Sequence, residues 1–113
     1  MANTFVNKKA DLTSNSATTL YTVPSATTAV IKSILVSEDS GNADTITVTI
    51  TDTDDAVFSL FKTKSISANA TTELLSAPLV VAESEVIKVT AATANRLHVV
   101  LSALEIKPRT VTS

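Results

Sequence analysis

Along Asp44-Thr45-Ile46-Thr47-Val48-Thr49-Ile50-Thr51-Asp52, apolar and hydroxyl side chains alternate without a break. Strand side chains alternate with period two, so Ile46, Val48 and Ile50 share one face and the threonines the other. This is the pattern of a half-buried strand in an antiparallel sheet. Burying each of the three β-branched residues contributes about 1.5–3 kcal/mol, so a second sheet is expected to cover them.

The rest of the chain repeats this theme in short segments. Ala17 to Val23 is β-rich and closed by Pro24, which cannot donate to a continuing ladder. Thr28 to Glu38 carries Val30, Ile34 and Val36 on one side and Ile31 and Leu35 on the other, with Lys32 and Ser33 interrupting. That two-sided pattern predicts a strand covered on both faces, by the opposite sheet and by a neighbour, an arm or a partner. Ser40-Gly41-Asn42 holds the single glycine, where a turn favours positive φ, and Asp52-Thr53-Asp54-Asp55 forms a second turn. Val57 to Phe61 follows with Phe58 and Phe61 on opposite faces, one for the core and one for an interface. Short strands are expected at 65–68 and 71–75 around Asn69-Ala70, at Leu79 to Val81 after Pro78, at Val86 to Ala91, and at Leu97 to Ile106.

Seven to eight strands at short spacing, with no sustained 3.6-residue repeat, predict an all-β, antiparallel sandwich or jelly roll in a single domain spanning 17–106. Residues 1–16 are polar apart from Phe5 and Val6. They read either as a loosely ordered terminus or as an arm that pairs with a neighbouring subunit through Phe5. Residues 107–113, with Lys107 and Arg109, form a polar tail that Pro108 keeps out of any sheet.

At 113 residues, one two-layer core is what the chain can bury. The composition is 44% hydrophobic but only 4% aromatic, so that core is aliphatic. Without cysteine, its stability rests on no cross-link. The first residues carry no apolar run of a signal peptide and no segment reaches the ~20 apolar residues of a membrane span, so folding in a cytoplasm is expected, with no membrane partner. Nine basic and eleven acidic residues are scattered, giving a net charge of -2. No basic patch is built for nucleic acid, and the balance favours protein partners.

Candidate chemistry is sparse. The single histidine, His98, lies in an apolar strand with no nucleophile turn nearby, and reads as a packing or surface residue. Asp52, Asp54 and Asp55, and Glu83 and Glu85, sit in expected turns where carboxylates stay solvated. The aspartate cluster also resembles part of a calcium loop, yet lacks the glycine and distal glutamate of an EF-hand, so a capped turn is the alternative. One glycine makes no phosphate cradle, and Phe5, Tyr21, Phe58 and Phe61 make no stacking platform for sugars or single strands. The reading is therefore of a protein that is not an enzyme, with no catalytic residues, cofactor or metal.

Leu20-Tyr21-Thr22-Val23-Pro24, Thr28 through Val36, Thr72-Glu73-Leu74-Leu75, Val86 through Ala91 and Ala103-Leu104-Glu105-Ile106 together resemble small β-sandwich virion proteins of tailed bacteriophages, cyanophages among them. The resemblance spans 20–106. It implies a structural virion protein, first of all a capsid decoration (cement) protein that binds and stabilises the shell of major capsid protein, as a homo-oligomer and by preference a trimer. A tail, neck or fibre protein with the same fold is the alternative, and a carbohydrate or host-surface module a more distant one. The expected interface residues are Phe5, Val6, Val30, Lys32, Ile34, Val36, Lys107 and Arg109. Ser25-Ala26-Thr27 and Ala82-Glu83-Ser84 replace the glycine-bearing turns of such proteins, so other backbone conformations are expected there.

Overall fold

The computed structural model describes residues 2–107. Nine strands are present among them: β1 (Ala2–Asp11), β2 (Thr18–Thr22), β3 (Thr28–Glu38), β4 (Asp44–Thr51), β5 (Val57–Ile66), β6 (Thr71–Glu73), β7 (Leu79–Val81), β8 (Val86–Ala91) and β9 (Leu97–Lys107). Every pairing is antiparallel. One sheet runs β1-β9-β3 and is completed by β6 and β7, which share the far edge of β3; the other runs β2-β8-β4-β5. We call them sheet A and sheet B. The chain is an all-β sandwich of two packed antiparallel sheets.

The central strand behaves as its alternation requires. Ile46, Val48 and Ile50 point into the core and Thr45, Thr47, Thr49 and Thr51 outward. Ile87, Val89 and Ala91 of β8 extend the same inner surface, and β9 meets it from sheet A with Leu97, Val99, Leu101 and Ala103.

The sandwich starts at residue 2 and not at 17. Residues 2–11 pair without a register break against β9, from Ala2 opposite Lys107 to Asp11 opposite His98. The run looks polar because an edge strand here buries little: Val6 and Ala10 pack on the core and Leu12, just beyond, is fully buried. Leu12 also donates to the Leu97 carbonyl and accepts from the Asn95 amide, at 3.1 and 2.8 Å. The arm thus pairs with β9 of its own chain, and the reading of a loosely ordered terminus does not describe residues 2–11.

β3 departs from the expected faces. A bulge leaves Lys32 without an opposite residue on β9, because Ile31 faces Ala103 and Ser33 faces Ser102. One extra residue exchanges the two faces beyond that point. Ala29 and Ile31 enter the core before the bulge, Ile34 and Val36 after it. Glu73 holds the bulge in place: its carboxylate accepts the Ser33 hydroxyl and the amides of Ile34 (2.8 Å) and Leu75 (3.2 Å). Burial pushes the Glu73 carboxyl up, and these bonds outweigh it and hold its pKa below the ordinary value.

The segments expected at Val57 to Phe61 and 65–68 are one strand, β5, with two register shifts against β4. Phe58 lies opposite Ile50 and Phe61 opposite Val48, so the two rings share the inner side. Phe61 packs on the core while Phe58, near the strand's end, stays 55% exposed. The turns without glycine take up the left-handed conformation all the same, at Ala26 (φ 55°) and Ser84 (φ 66°), which corrects the expectation of other conformations. Gly41 has φ 83°, as its turn position requires.

Two buried carboxylates organise the ends. Glu38 closes β3 and is almost fully buried. It accepts amides from Ser40 (2.8 Å), Gly41 (3.0 Å) and Asn69 (3.0 Å) and the Ser40 hydroxyl, so one side chain joins the β3–β4 and β5–β6 turns. Burial would raise its pKa; the four hydrogen bonds to the charged form prevail and lower it to about 2. At the opposite end, Glu105 accepts the Tyr21 hydroxyl at 2.5 Å between the sheets. Burial, then the bond to Glu105, raises the Tyr21 phenol far above its usual range, so the phenol keeps its proton. The Lys8 ammonium stands 6.0 Å from the Tyr21 ring centre.

Candidate interaction surface

Antiparallel partners project to the same side of a sheet, so the register writes out the outer face of sheet A row by row. One row is Phe5 on β1, Leu104 on β9, Val30 on β3 and Val80 on β7. All four are apolar, and Phe5 and Val80 are 79% and 64% exposed. Ile106 lies in the row beside it with Asn3 and Thr28. Two rows away in the other direction, Lys9, Val100, Leu35 and Glu73 line up. Isolated exposed apolar residues need no explanation, but a continuous row across four strands is an interaction feature.

The face becomes polar toward its other end. There Asp11, His98, Ser37 and Thr71 form a row. The His98 Nε2 lies 3.2 Å from Asp11 and its Nδ1 3.4 Å from Asp39, so the imidazole bridges β1 and the β3–β4 turn. Each ring nitrogen faces a different carboxylate, which leaves the ring placed for strand linkage.

Of the residues expected at an interface, Phe5, Val30 and Lys32 lie on this face, and Lys107 is exposed at the end of β9. Ile34 and Val36 do not: the Lys32 bulge turns both into the core, where they are fully buried. Val6 points inward and packs against the core. Arg109 lies outside the described residues, as does the tail from residue 108 onward. Leu104, Val80, Leu35 and Ile106 were missed. The available signal was β9 itself, where Val100, Leu104 and Ile106 occupy the positions that alternation assigns to solvent.

The other candidates resolve into local structure. The Asp52 Oδ1 accepts the amides of Asp54 and Ala56, each at 2.9 Å, and so caps its turn. Among the described residues no three His, Cys, Asp or Glu side chains converge as metal ligands. A groove of about 270 Å³ runs between β5 and the β6–β7 segment, lined by Leu60, Phe61, Leu74, Leu75, Pro78 and Leu79. It falls below the roughly 300–1,000 Å³ of typical small-ligand sites. No helix is long and apolar enough to cross a membrane among the described residues. Compared with family models, with curated proteins and with solved structures, the chain matches none.

Proposed function

We propose that this chain is a structural protein of a phage particle, without enzymatic activity, and that it decorates and stabilises the shell of major capsid protein in many copies. The observation that carries the reading is the continuous apolar row Phe5, Leu104, Val30 and Val80 across four strands on the outer face of sheet A. The likeness of residues 20–106 to small virion proteins supports it. A ligand that binds only the assembled shell stabilises it by mass action, by about 2.7 kcal/mol at a hundredfold excess over Kd. Repeated copies make modest interfaces cumulative.

Purified protein added to shells stripped of it raises their melting temperature, and labelled protein covers the head of intact particles. Absence of binding to shells overturns the reading. Label on the tail, neck or fibres assigns the same fold to that location instead.

A further inference from the structure

We propose that β1 is a self-pairing edge: two copies of the chain align their β1 strands antiparallel about a two-fold axis at Val6 and join two copies of sheet A into one continuous sheet. The proposal is independent of the shell reading.

Edge strands carry unpaired backbone donors and acceptors, and proteins guard them with bulges, prolines, shortness or charge. The guards here are unevenly distributed. β5 has two register shifts, a left-handed residue at Thr63 (φ 49°) and the cations Lys62 and Lys64. β2 is five residues long, has a register shift and is followed by Pro24. β6 and β7 are three residues each, with Pro78 between them. Among the described residues β1 alone is ten residues long with no register shift, proline or glycine; its guards are Lys8 and Lys9, and it carries the most exposed large apolar residue there, Phe5 at 79%.

Its sequence is compatible with its own reverse. A two-fold axis normal to the sheet keeps each side chain on its face, so a residue must lie opposite one of the same parity. Centring on Val6 places Ala2 opposite Ala10, Asn3 opposite Lys9, Thr4 opposite Lys8, and Phe5 opposite Asn7. No like charges meet, and the lysines of this edge, which would face their own copies with the axis at Lys8 or Lys9, face neutral polar residues. The two Phe5 rings become diagonal neighbours, about 7–8 Å apart at the backbone and within reach of aromatic contact. The row Val80, Val30, Leu104, Phe5 thus meets the same row of the copy through the diagonal contact of the two rings.

An edge of ten residues is roughly 34 Å long and about 10 Å deep. Two such edges bury on the order of 700 Å² in total, which is the size of a weak pair that forms at high concentration. The pairing is two-fold, so it takes the place of the trimer expected from the resemblance.

The chain has no native cysteine, which gives a clean test. Directly opposed residues in an antiparallel pair have Cα atoms about 4.5–5.5 Å apart, within the span of a disulfide. Val6→Cys under mild oxidation is expected to form a covalent dimer much faster than Asn42→Cys, placed in a remote exposed turn. In sedimentation, the native chain is expected to be a dimer at about 100 µM, and Phe5→Lys to weaken the dimer about tenfold or more. Thr49→Lys, on the outside of sheet B, leaves it unchanged. A monomer or a trimer of the native chain at that concentration overturns the proposal, as does equal cross-linking of the two cysteine variants. The sedimentation arms decide the matter even if Val6→Cys disturbs local packing.

Discussion

The outer faces of the two sheets differ although their inner faces are built alike. Both sheets bury Val, Ile, Leu and Ala. Outside, sheet B shows mostly hydroxyls and a lysine: Thr19, Lys88, Thr49 and Ser59 form one row, Thr47 and Thr90 the next, and Thr22, Val86, Thr51 and Val57 a third that mixes threonine with valine, Val57 being 62% exposed. Sheet A shows Phe5, Leu104, Val30 and Val80 in the equivalent position. Threonine suits a strand because its methyl covers the pleat while its hydroxyl stays hydrated. Leucine or phenylalanine in the same place leaves apolar area in water that only a partner removes. The difference teaches that folding needs just one face of each sheet, and that the second apolar face of sheet A is available for assembly.

The comparison is broken most sharply at the Lys32 bulge. Ile34 is fully buried and its neighbour Leu35 is 38% exposed, so the account requires opposite responses. Ile34→Ala is expected to lower unfolding free energy by about 2–5 kcal/mol in a urea titration. Leu35→Ala is expected to stay within about 1 kcal/mol. Equal losses would place the bulge elsewhere and undo the assignment of the two faces.

Next in size is the Glu38 junction. Glu38→Gln removes the charge that gathers three amides, and a fall in melting temperature on the order of 10 °C is expected. The pH dependence has a definite sign. The folded pKa, about 2, lies below the ordinary 4.5, so the contribution is complete above pH 4.5 and is lost as pH falls toward 2. Glu73 acts in the same direction. The native chain therefore loses melting temperature over that window, and Glu38→Gln flattens the slope.

A smaller effect on stability separates the outer faces directly. Phe5→Lys and Thr49→Lys are each expected to change stability by no more than about 0.5 kcal/mol. If the proposed binding to shells holds, only Phe5→Lys is expected to reduce it, by about tenfold. Smallest of all, Ala26→Gly and Ser84→Gly relieve left-handed backbone that costs an L-residue about 1–2 kcal/mol. The entropy of the unfolded glycine offsets part of this, leaving a gain of up to about 1 kcal/mol in thermal melts.

The sheet class was readable from β4 alone, since nothing in Asp44 to Asp52 interrupts the alternation. β3 was not, because both Val30 and Ile31 are apolar and a one-residue bulge leaves no mark in an alternation of that kind. β1 read as loose because an edge strand buries one residue in two at most, and here Lys8 occupies an inward position over Tyr21. The Glu38 junction was out of reach, since its Asn69 donor comes from a turn 31 residues away. Phe5 and Val30 are expected at an interface from exposure and pattern, and the register of sheet A places Leu104 and Val80 in the same row.

Two phenylalanines provide the most direct test that sheet A carries the contacts. Phe5 lies on its outer face and Phe58 near the end of β5 in sheet B, at 79% and 55% exposure in the free chain. Hydroxyl-radical labelling of the dilute chain and of the assembled chain, read by mass spectrometry, compares them within one molecule. The account predicts that assembly protects Phe5 and leaves Phe58 reactive. Protection of Phe58 with Phe5 unchanged would contradict it.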